Sequence, residues 1–163
     1  MPDLPSAILL FKAMLVCGLS LWSAITVLNN VRDFRGAAGA IARTLEMTPL
    51  REEPAIPTPL LRRALRSDRW SVLALAGILA MQVLATALLG IGGVELIRAC
   101  LSATAPARGI WFSTMGLGVM ALVWLSMMSG GLWFAYWIRQ GELQLTQIAL
   151  LLMTIAAALA VNA

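Results

Sequence analysis

The chain contains no histidine. That absence removes a haem held by two imidazoles, a zinc site built on imidazole and a Ser–His dyad. Without histidine no nucleophile–base pairing can be assembled, so the sequence reads as a non-enzyme with no cofactor. Cysteine is scarce too, with only Cys17 and Cys100. Cys17 lies about ten residues into the first apolar run, roughly 15 Å deep at the helical rise. Cys100 falls at the far end of the second run, near a surface. A disulfide needs Cα atoms within about 7 Å, so both cysteines read as packing residues. The nine methionines show no Met-x-x-Met clustering, which argues against a copper site and for adaptable packing surface. Charge is also thin. Only 12% of the 163 residues are charged and 60% are hydrophobic, too apolar for an ordinary soluble domain.

What is present is a set of four apolar runs. A bilayer is crossed by about 20 apolar residues. The runs predict an all-α, four-helix transmembrane bundle in a single membrane domain, 1–163, with helices at about 7–29, 71–97, 111–138 and 144–161. A long, partly helical, arginine-rich loop, 31–70, joins the first two. The first run is too long for a signal-peptide core, no basic residue precedes it, and no small-residue cleavage site follows.

Most of the charge sits in that loop. Its basic residues are Arg32, Arg35, Arg43, Arg51, Arg62, Arg63, Arg66 and Arg69. A pI near 10 is compatible with nucleic acid, but arginines between membrane segments are better explained by lipid headgroups and topology. No nucleic-acid partner is expected. Within 60–69, Leu61 and Leu65 share a face while Arg62, Arg63, Arg66 and Arg69 cover the rest. That pattern suits a helix on lipid headgroups, or equally a charged lead-in to the next span. The positive charge places loop 31–70 in the cytoplasm and both termini outside.

Several polar residues fall inside or beside the runs. Lys12 is an intramembrane cation. It can hold an anionic headgroup, a quinone or a carboxylate, with Glu95 the best partner within the chain, or it can snorkel to the interface alone. Asn29 and Asn30 are suited to ending the first helix, and Asp33 to accepting backbone N–H groups beyond it. Ser20, Ser23 and Thr26 can bond back to their own helix. Gly130 and Gly131 precede Trp133, Phe134, Tyr136 and Trp137, rings that suit a headgroup boundary. The glycines predict close approach there. The first loop returns to the same face, so contact is expected between 29–34 and 133–137, through Phe34 or Asn30.

Taken in order, Lys12, Asn29-Asn30, Asp33-Phe34, Met47-Thr48, Gly130-Gly131-x-Trp133-Phe134-x-x-Trp137 and Gln140-Gly141 resemble a bacterial family of small integral membrane proteins, domain of unknown function 2165. The resemblance spans nearly the whole chain. It implies four membrane helices, a sizeable loop between the first two and a bacterial inner-membrane location, and it brings no established activity. Members often carry acidic residues where this chain has Thr48, Gln82 and Leu132, which marks it as a divergent member suited to packing rather than chemistry. Some members have a basic second loop, which favours the opposite orientation. The leading functional expectation is an accessory or structural subunit of a larger inner-membrane complex, respiratory or photosynthetic, working by helix packing and lipid contact. Its partners would be membrane lipids and other integral subunits. The alternative is a small transporter or a lipid- or quinone-binding protein using Lys12 and the region of Asn29, Asn30 and Asp33.

Overall fold

The computed structural model describes residues 4–102 and 104–163, and all regular structure in them is helical. Helix α1 spans Leu4–Arg32 and α2 spans Phe34–Leu45. Two 3₁₀ turns follow, at Thr48–Leu50 and Pro59–Arg63. Helices α3 (Asp68–Ser102) and α4 (Ala107–Trp133) come next, then a 3₁₀ turn at Tyr136–Ile138 and helix α5 (Gly141–Asn162). Helices α1, α3, α4 and α5 are long and apolar enough to cross a bilayer. At 35 residues, α3 is roughly 50 Å long, so its charged ends reach beyond the hydrocarbon.

The spanning helices pack in sequence, α1 on α3, α3 on α4 and α4 on α5. One core takes residues from all four: Val16, Leu89, Leu96, Leu117, Val123 and Val161 are fully enclosed in it. Close approach is built in with glycine. A Cβ at Gly92 would lie 2.8 Å from the Ser113 backbone nitrogen, so α3 and α4 meet backbone to backbone there.

The loop after α1 is folded rather than extended. Asp33 accepts from the Gly36 N–H and caps α2. Phe34, Ala37, Ala38 and Ile41 recur at helical spacing, and this face lies on Leu75 and Leu79 of α3. Beyond α2, Met47 and Leu50 are buried against Phe134 and Ala135, with Leu61 and Leu65 around them. Met47 and Ala135 both have left-handed backbone, φ 56° and 54°. Such a conformation costs a non-glycine residue about 1 kcal/mol or more, and here burial in the shared cluster offsets it.

Three expectations about this region are corrected. Helix α4 ends at Trp133 rather than near 138, because Ala135 breaks the helical path and Tyr136–Ile138 form a separate turn. Of the two readings of 60–69, the surface helix does not form, and Asp68 and Arg69 begin α3. The 3₁₀ turn from Pro59 stops at Ala64, which is extended, and the Leu65 N–H bonds the Leu45 carbonyl at 2.9 Å. Leu61 and Leu65 therefore face the loop cluster instead of lipid. Finally, the aromatic turn is covered by 45–65, not by 29–34. Helix α1 continues to Arg32, and α2 then turns Phe34 onto α3.

Candidate functional site

Three groups of polar side chains bear on a site. The first is a seam between α1 and α3. Ser23 and Thr86 share a hydrogen bond of 2.7 Å, Ser20 donates to the Thr86 carbonyl, and Asn30 donates to Gln82 Oε1 at 3.2 Å. Ser20 and Ser23 thus bond across to a neighbour, not back along α1, because α3 brings Thr86 level with them. Thr26 does bond back, to the Trp22 carbonyl. Asn30 extends this seam, Asp33 caps α2, and Asn29 is exposed.

The second group joins α4 and its following turn to α5. Trp124 Nε1 donates to Thr154 Oγ1 at 3.2 Å, while the Trp124 ring tilts against Trp22 of α1. Tyr136 donates its hydroxyl to Gln147 Oε1 at 2.7 Å. Burial pushes the Tyr136 hydroxyl above the ordinary phenol range, so it stays a protonated donor at neutral pH. Gly131 makes this turn possible. A Cβ there would sit 2.6 Å from the Tyr136 ring, so the close approach at Gly131 is made by the chain's own next turn and not by a neighbouring segment. A Cβ at Gly130 would meet nothing within 4 Å.

Arginines complete that end. Arg63 donates to the Trp133 carbonyl at 3.2 Å and lies over the Trp133 ring, 4.4 Å from its centroid. Arg139 donates to the Pro54 carbonyl, and Arg43 pairs with Glu52 at 2.8 Å. Arg62, Arg66 and Arg69 are exposed, as are Trp133 and Trp137.

The third group lies at the other end. Lys12 is 9% exposed and borders an open cavity of about 510 Å³ with Leu9, Cys100 and Pro106. It has no ion pair among the described residues. Its expected partner, Glu95, is instead held by Arg98 at 3.2 Å. Those two residues are three apart on one helix, so their side chains meet without help from tertiary structure. Lys12 and the region of Asn29 to Asp33 sit at opposite ends of α1 and form no common site.

A family model described as predicted small integral membrane protein (DUF2165) matches residues 8–163. The chain belongs to that family. No curated protein and no solved structure matches it. In this DUF2165 protein the residues that carried the resemblance stand at joints of the fold. Asp33 caps α2, Met47 makes the left-handed turn after it, Gly131 admits Tyr136, and Trp133 closes α4 under Arg63. Gln82 is a neutral partner for Asn30 at a buried position. The cross-helix partners Thr86, Trp124, Thr154 and Gln147 went unrecognised in the sequence. Their only signal there is a single polar residue in an apolar span.

Proposed function

We propose that the protein is a non-catalytic accessory subunit of a larger complex in the bacterial inner membrane, respiratory or photosynthetic, acting by helix packing and lipid contact. The observation that carries this reading is the pairing inside the bundle. Four polar pairs inside it are neutral, Asn30 with Gln82, Ser23 with Thr86, Trp124 with Thr154 and Tyr136 with Gln147. Such pairs fix helix register and need no proton or ion. Outward-facing Gly18, Gly77 and Gly118, whose surroundings would leave a Cβ free, offer places where another helix can come close. Nine arginines on the loop side favour that side being cytoplasmic. Purification in mild detergent should give a species larger than one chain, with other integral chains in fixed ratio. A clean monomer with none would contradict the reading.

One observation favours a second reading, a lipid-binding protein. Lys12 is nearly buried in a membrane helix, lacks an ion pair among the described residues and borders an open cavity. A cation so placed attracts an acidic lipid headgroup. Lys12→Gln should then lower the amount of acidic phospholipid that stays bound through purification. Unchanged lipid content would remove this option.

A further inference from the structure

The loop-side end holds a cavity that the polar seams do not use. It measures about 270 Å³ and opens between α2, α3, α4 and α5. Its walls are apolar, Ile41, Ala74, Ile78, Met127 and Leu143 among them, and no acidic or basic side chain lines it. At its polar end stand Tyr136 and Gln147, each only 4% exposed. Among the described residues, the Gln147 side chain has one hydrogen bond, the one from Tyr136. The rest of its amide lines the cavity without a protein partner. Whichever way the amide is turned, the pair presents N–H or O–H hydrogen to the cavity. The hydrogen that the pair leaves free reaches the open cavity, where an acceptor would complete the pairing.

Depth narrows what can supply that acceptor. Glu142 marks the charged boundary on α5, and Gln147 lies five residues further in, roughly 8 Å at the helical rise. Ile78 is ten residues beyond Asp68, roughly 15 Å in on α3. Glycerolipid esters belong to the interfacial layer, outside the hydrocarbon. An acceptor at this depth suits a molecule whose polar atoms are few and uncharged. The uncharged lining excludes an ionic head, and the volume, just under the usual range for small-ligand pockets, suits a single substituted ring.

We infer that this cavity binds the ring of a neutral, tailed quinone, with a ring carbonyl accepting from the Gln147–Tyr136 pair. The tail leaves through the open side into lipid. The inference concerns binding alone and does not rest on the accessory-subunit reading, since a monomer can bind the same molecule.

The test uses the full chain in mild detergent, titrated with a benzoquinone carrying a decyl tail and, in parallel, with a diacylglycerol. Thermal stability is read at each concentration. The expected result is a saturable rise with the quinone and none with the diacylglycerol. Gln147→Leu should weaken the quinone response roughly tenfold or more. Gly130→Leu should abolish it by filling the cavity wall. Since a Cβ at Gly130 meets nothing within 4 Å, that variant keeps its fold and decides the matter if Gln147→Leu does not. An equal or stronger response to diacylglycerol, no saturable response to either molecule, or a quinone response unchanged in Gly130→Leu would each overturn the inference.

Discussion

The two ends of the bundle are built differently. At the loop side, residues 45–65 fold over the turn after α4, and Arg63, Arg139, Tyr136 and Met47 each have a defined partner or a packed cluster there. At the other side Lys12 faces an open cavity, and Glu95 and Arg98 satisfy each other on one helix. A polar group in a membrane helix therefore has no fixed meaning. At one end such groups hold structure together; at the other a cation sits where structure does not need it.

Breaking the loop-side end should have the largest effect. Gly131→Leu drives a side chain into the Tyr136 ring and should cost about 3 kcal/mol through overpacking, read as a fall in thermal midpoint. Leu132→Ala, at an exposed neighbour, should cost far less. Equal effects would mean that the turn is not packed as described. Next in size is Tyr136→Phe, which leaves Gln147 buried without its donor. It should cost about 1–2 kcal/mol in the same measurement. A neutral result would show that the pair contributes nothing to the closed end.

The open end should respond with the opposite sign. Lys12→Met removes a nearly buried cation that lacks an ion pair among the described residues and keeps much of its volume, so thermal stability in detergent should rise, by about 1 kcal/mol. A clear loss would place Lys12 among the structural groups and erase the contrast. The smallest change belongs to Arg98→Ala. Its partner is three residues away at an exposed end, so the loss should stay below about 0.5 kcal/mol.

The contrast was only half legible in the sequence. Spans could be read because roughly 20 apolar residues in a row are a coarse, additive signal. The adjacent glycines before a run of rings mark the place as one where a side chain is missing, yet only Gly131 is approached closely and Gly130 is not. The partner of Gly131 could not be read, because Tyr136 reaches back only after Ala135 adopts a left-handed conformation that no local rule assigns to alanine. Phe34 was misplaced for a similar reason. The cap at Asp33 restarts a helix, and that helix aims Phe34 at α3 instead of the aromatic turn. The hydrogen bonds from Trp124 to Thr154 and from Asn30 to Gln82 depend on which helices become neighbours, which hydropathy does not encode.

Packing into a larger assembly is tested most directly inside the native membrane. A photoreactive amino acid would be placed singly at Gly18, Gly77 and Gly118, exposed positions where an added Cβ meets nothing within 4 Å. After illumination the adducts would be identified by mass. At least one of the three positions is expected to join the chain to another integral membrane protein in high yield. Adducts to lipid alone at all three would contradict it.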